Sequence, residues 1–124
     1  MAEPAIRVLL VDDDSLVLDS ATAMLEDLGH RVLAAATANE ALRLADEHAD
    51  IDLVISDHAM PNVTGAQLAQ TLRTRFPNLP VIIATGYTEL PDDIPIDVTR
   101  LSKPFSQYEL EVAVSVAVRN TDHD

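Results

Sequence analysis

Two apolar runs in this chain end on aspartate. Val8-Leu9-Leu10-Val11 leads into Asp12-Asp13-Asp14, and Leu53-Val54-Ile55-Ser56 leads into Asp57. Two carboxylates about 4 Å apart repel by roughly 4 kcal/mol at an effective dielectric near 20. A fold that gathers such residues needs a cation among them, or a reaction that uses them. Oxygen-rich sites suit hard cations such as magnesium, which takes only one or two carboxylates and keeps several waters. Asp12, Asp13 and Asp57 could supply those oxygens. Asp14 and Ser15 are both candidates to cap the helix that follows.

Lys103 is the only lysine; the other seven cations are arginines. A compact ammonium can neutralise a developing phosphoryl charge as a point contact. Lys103 stands before Pro104, and the Lys103-Pro104 bond is a candidate for the cis form. Thr85 ends another apolar run, where its hydroxyl could donate to a phosphoryl oxygen. A β-branched residue in a strand needs no such explanation. His58 directly follows Asp57. Neighbours on an extended segment point apart, so His58 is expected as a partly exposed loop residue and not as half of a dyad. His30, His48 and His123 show no metal-ligand spacing.

Strands and helices must bring these residues together. Ile6 to Val11, Arg31 to Ala36, Leu53 to Ser56 and Val81 to Thr85 read as strands. A weak fifth strand is expected near Val98 to Leu101. Helical spacing follows each of the first three: Val17, Ala21, Met24, Leu25 and Leu28 before Gly29; Ala41, Leu44, Ala45 and His48; Leu68, Ala69, Leu72 and Phe76 before Pro77. A last helix carries Leu110, Ala113, Val114, Ala117 and Val118 inward. Thr37 with Glu40, and Ser106 with Glu109, have capping-box spacing. Strands that are apolar throughout suit a sheet covered on both faces. Alternation of strand and helix implies a parallel sheet with right-handed crossovers. Ligands in such sheets bind at the carboxyl ends of strands near a topological switch point. Asp12, Asp13, Asp57 and Thr85 all fall at those ends. Gly86 to Leu101, with Pro91 and Pro95 and four acids, reads as loop with at most a short helix.

The chain has 124 residues, 48% of them hydrophobic, which suits one globular domain over 1–124. It contains no cysteine, so thiolate metal sites and disulfides are excluded. Met1-Ala2-Glu3-Pro4 lacks the pattern of a signal peptide, and no apolar stretch reaches membrane-span length. A cytoplasmic location is expected. Eight basic residues against 21 acidic ones give a net charge of −13. Nucleic acid and anionic lipid should both repel such a chain.

Taken together and in order, these pieces resemble the receiver domain of two-component response regulators. They are Val8 to Asp14, Asp57-His58-Ala59-Met60-Pro61 with Gly65, Ala84-Thr85-Gly86, and Lys103-Pro104-Phe105. The resemblance covers nearly the whole chain. It implies a flavodoxin-like, doubly wound α/β fold with a five-stranded parallel sheet in the order 2-1-3-4-5. It implies that Asp57 accepts a phosphoryl group from a histidine kinase or a histidine phosphotransfer protein. Asp12, Asp13, Asp57 and the backbone carbonyl of Ala59 would hold magnesium, or manganese, and Thr85 and Lys103 would contact the phosphoryl oxygens. The chain would catalyse only its own phosphorylation and dephosphorylation.

Two positions depart from the family pattern. An aromatic residue usually stands three places before the lysine; here it is Arg100, and Tyr87 is the candidate replacement. The fourth helix is expected to be shortened, because only 18 positions separate Thr85 from Lys103 and two of them are proline. Receivers at the C-terminal end of hybrid histidine kinases, and some stand-alone receivers, are similar in these respects. Ala59 and Tyr87 flank the expected site, so water access and a slow loss of phosphate are expected to turn on them. Two alternatives compete: a haloacid-dehalogenase-type phosphatase with Asp12 as nucleophile, and a pseudo-receiver that binds without phosphorylation.

Overall fold

The computed structural model describes residues 5–86 and 98–122, the last three by backbone alone. Five strands form one sheet: β1 (Arg7–Val11), β2 (Arg31–Ala35), β3 (Leu53–Asp57), β4 (Val81–Thr85) and β5 (Thr99–Ser102). Their order is β2-β1-β3-β4-β5 and every pairing is parallel. Four helices accompany them among the described residues: α1 (Ser15–Asp27), α2 (Ala38–Glu47), α3 (Gly65–Arg75) and α4 (Gln107–Asp122). This is the flavodoxin-like architecture expected. Strand boundaries shift by one residue or less, and β4 coincides with the expected span. The expected shortened fourth helix falls on 87–97, outside the described residues, as does Tyr87.

The sheet is covered on both sides, which explains its unbroken apolar runs. Leu9, Val11, Val54, Val81 and Ile83 pack against the alanines of α2 and the leucines of α3. Val8, Leu10, Leu53, Ile55, Ile82 and Leu101 face α1 and α4. Alternate residues of one strand thus feed two cores.

Local signals set the helix ends. Asp14, with extended backbone, accepts from the amides of Leu16 and Val17, so it is the cap of α1 and Ser15 is the first helical residue. Gly29 lies at φ 97° after α1, in the region where a side chain is strained. Ser106 and Glu109 form the full capping box expected. At α2 only half of it forms. Thr37 Oγ1 accepts from the Glu40 amide, but the Glu40 carboxylate reaches one residue further back, to the Ala36 amide at 2.8 Å. Thr64 and Gln67 make a complete box at α3; its Thr-x-x-Gln spacing is visible in the sequence.

Candidate functional site

The order β2-β1-β3 places the switch point between β1 and β3. Val11 pairs with Ser56 there, so the next residues, Asp12 and Asp57, emerge side by side. Both are buried, at 4% and 6% exposure. Asp13 is exposed beside them, and oxygen atoms of the three carboxylates lie within 4.8 Å of one another.

Lys103 completes the cluster. β5 pairs Ser102 with Thr85, and the Lys103 amide continues the ladder by donating to the Thr85 carbonyl at 2.8 Å. The lysine Nζ reaches Asp12 Oδ2 at 2.9 Å and Asp57 Oδ1 at 2.8 Å. The Lys103–Pro104 peptide bond is cis, the form weighed from the sequence. Burial by itself pulls the lysine pKa down. Hydrogen bonds to Asp57 and Asp12, with their charges, outweigh it and hold the ammonium above the usual lysine value.

Asp12 is held at both oxygens. Oδ1 accepts from the Asp14 amide at 2.9 Å and Oδ2 takes Lys103. Its own amide donates to the Ala35 carbonyl of β2. Three carboxylates and one ammonium leave a formal charge of minus two. A divalent cation would cancel that charge, and an all-oxygen donor set is what a hard cation prefers. The residues present therefore fit such an ion.

The remaining candidates fall less tightly around the cluster. Thr85 is half-buried at the end of β4, one residue beyond Ala84, the partner of Asp57. Ala59 sits exposed in the turn after β3. Arg100 is exposed on β5 and pairs with Ile83 of β4, two residues before Thr85. The expectation for His58 is corrected: it is 8% exposed, and its amide donates to the Ala84 carbonyl. The start of α3 closes over it, with the Gly65 amide donating to the His58 carbonyl at 2.9 Å.

A model of the response regulator receiver domain matches residues 8–115. The chain belongs to the response regulator receiver family. It is 46% identical over 121 residues to the response regulator Rre1 of Synechocystis, a match that takes in 92% of this chain and 52% of that protein. It is 33% identical over 120 residues to the sensor kinase CckA of Brucella abortus, over 93% of this chain and 13% of the kinase. The chain spans about half or less of these curated relatives. A crystal structure of a response regulator receiver domain protein from Clostridium thermocellum superposes with a TM-score of 0.84 at 29% identity, covering 94% of this chain and 97% of that one. Nothing favours the phosphatase alternative, and the receiver site explains the same aspartates.

Sequence reasoning found the charged residues of this receiver but missed what supports them. A Cβ on Gly65 would lie 2.7 Å from the Asp57 carbonyl oxygen and 2.9 Å from the His58 Cα. Glycine is needed there for close approach, a role that its bare presence in the sequence does not state. Asn62, at φ 72°, turns the chain between Ala59 and α3. Asparagine is among the residues that tolerate this conformation.

Proposed function

We propose that this receiver accepts a phosphoryl group on Asp57 from a phosphohistidine of a histidine kinase or a histidine phosphotransfer protein. The observation that carries the reading is Lys103 bridging the buried carboxylates of Asp12 and Asp57 at 2.9 and 2.8 Å. Magnesium, or manganese, would be held by Asp12, Asp13, Asp57 and the Ala59 carbonyl. The ion would supply neutralisation of the phosphoryl oxygens.

A carboxylate oxygen of Asp57 attacks phosphorus. The P–N bond to the donor imidazole breaks, and the imidazole leaves with the electron pair and takes up a proton. Asp57 loses its charge to the acyl phosphate, so Lys103 moves its contact to a phosphoryl oxygen. Thr85 donates its hydroxyl to another. Asp12 remains as the fixed counter-charge. Positioning and charge compensation carry such a transfer. The domain turns over only its own phosphoryl group, so it is not an enzyme acting on other substrates.

A groove of about 510 Å³ borders this site. Leu16, Val17 and Met24 of α1 line it with Pro104 and Phe105, and Lys103 stands at its edge. Leu16 is 79% exposed. An apolar patch beside the acceptor suits a partner helix that presents a phosphohistidine. The net charge of −13 argues against nucleic acid as a partner. No helix of the described residues is long and apolar enough to cross a membrane. Together with the absence of cysteine, this supports a cytoplasmic location. The output would be a protein contact or the next step of a phosphorelay.

Labelled acetyl phosphate tests the reading. Label should be recovered on Asp57. Label on Asp12, or none in the presence of magnesium, defeats it.

A further inference from the structure

The strand that carries the acceptor holds a polar side chain that the transfer itself does not use. Ser56 is fully buried, at 0% exposure, between Val11 of β1 and Ile83 of β4. Its Oγ donates to the carbonyl oxygen of the next residue, Asp57, at 2.9 Å. The other end of that peptide is also tied, because the His58 amide donates to the Ala84 carbonyl at 3.0 Å. Gly65 packs against the same Asp57 carbonyl so closely that a Cβ would have no room. The peptide that follows the acceptor is therefore gripped at its oxygen, at its nitrogen and across its face.

This peptide joins two parts of the proposed site. The Asp57 carboxylate hangs from one side of it. Through His58 it leads to Ala59, whose carbonyl is the proposed backbone ligand. A rotation of the peptide would displace both. An apolar side chain would fill the Ser56 position at less desolvation cost. A buried hydroxyl spent on its own strand, beside the reacting carboxylate, is best accounted for by orientation.

We propose that Ser56 is a positioning residue for phosphoryl transfer: its hydroxyl fixes the Asp57–His58 peptide, and through it the acceptor carboxylate and the Ala59 carbonyl. This rests on the phosphoacceptor reading of Asp57.

The experiment compares wild type with Ser56→Ala and Ser56→Cys. Alanine removes the donor and cysteine keeps a weak one at similar size. Three quantities are read: magnesium affinity by calorimetry, the rate of labelling by acetyl phosphate at saturating magnesium, and the melting temperature. Ser56→Ala should lose roughly fivefold in labelling rate, which corresponds to about 1 kcal/mol of barrier. It should also bind magnesium several-fold more weakly, with Ser56→Cys between it and wild type. A labelling rate and magnesium affinity both within twofold of wild type, with only the melting temperature changed, overturn the proposal. If the alanine variant does not fold, the cysteine variant is read by the same criteria. In the wild-type protein the Ser56 hydroxyl proton should exchange slowly enough to be seen by NMR. Exchange as fast as that of an exposed serine also overturns the proposal. Failure of wild type itself to take label would defeat the phosphoacceptor reading, and the magnesium comparison would still report on Ser56.

Discussion

The carboxyl ends of β1 and β3 and the flank formed by β4 and β5 belong to one sheet, yet they are built differently. At β1 and β3 the buried carboxylates have fixed partners. Asp12 is bonded at both oxygens, Asp57 is paired to Lys103, and the peptide after it is held at both ends. On the flank, Lys103 apart, the candidate residues are less buried. Thr85 is half-buried, and Arg100 is exposed on an edge strand. Chemistry requires side chains fixed to fractions of an ångström, whereas a response to chemistry requires groups free to move. The acceptor end is over-determined, and we propose that the flank is the part that changes.

The largest expected effect strikes the fixed end. Asp57→Asn should remove labelling altogether and leave the fold intact, because asparagine keeps the shape and removes one of three clustered negative charges. The rise in melting temperature produced by millimolar magnesium should shrink with it. An Asp57→Asn protein that still takes label would dissolve the contrast at its centre.

Lys103→Met comes next. It removes the ammonium and leaves two buried carboxylates facing each other, at a cost of roughly 3 kcal/mol without metal, the low end for a buried pair because the lysine is partly exposed. Labelling should slow about a hundredfold. Magnesium binds the folded state and should raise the melting temperature by more in the variant than in wild type. The alkaline limb of stability follows from the raised lysine pKa. Its contribution is full below the unfolded value near 10.4 and is lost as pH rises through the higher folded value. Lys103→Met should lack that limb. Identical magnesium shifts in both proteins would show that the lysine and the ion do not share the carboxylates.

Smaller again is the loss of phosphate once formed. Ala59 is exposed beside the acceptor and offers no polar side chain to orient water. Replacing Ala59 and Tyr87 together by polar residues should speed decay of the acyl phosphate, by about tenfold if water placement limits it. An unchanged half-life would remove both residues from consideration.

Gly65→Ala probes the support beneath the fixed end. The added Cβ meets backbone at 2.7 Å, so either α3 or the Asp57 peptide must shift. Overpacking of this kind costs roughly 1–3 kcal/mol, readable in a denaturant melt. Magnesium affinity should fall in the same variant.

What the sequence made legible follows the same division. The aspartate-ended runs were visible because burial of charge is costly enough to stand out in a single strand, and the lone lysine stood out by count. The parallel sheet followed from unbroken apolar runs. The burial of His58 was not legible, because it depends on α3 closing over the loop, a tertiary event at Gly65. Nor was the role of Ser56, since a serine in a strand looks the same whether it bonds to water or to the next carbonyl. The Thr37–Glu40 spacing predicts the threonine's bond but not that the glutamate takes the Ala36 amide, because spacing fixes the residues in reach and not which amide is taken.

The smallest expected effect falls on the loose flank. Arg100 is exposed on the edge strand, so its side chain has little burial to lose. Arg100→Ala should change stability by less than about 0.5 kcal/mol, the usual range for a surface site. Labelling of Asp57 by acetyl phosphate should stay within about twofold, since that donor tests the fixed end alone. If the flank is where the phosphorylated state is expressed, a difference should appear only there: the NMR shifts of β5 amides that move on phosphorylation in wild type should move less in the variant. A large fall in labelling rate would instead tie Arg100 to the acceptor end. The contrast between a fixed site and a free flank would then be wrong at the residue that was expected to mark it most clearly.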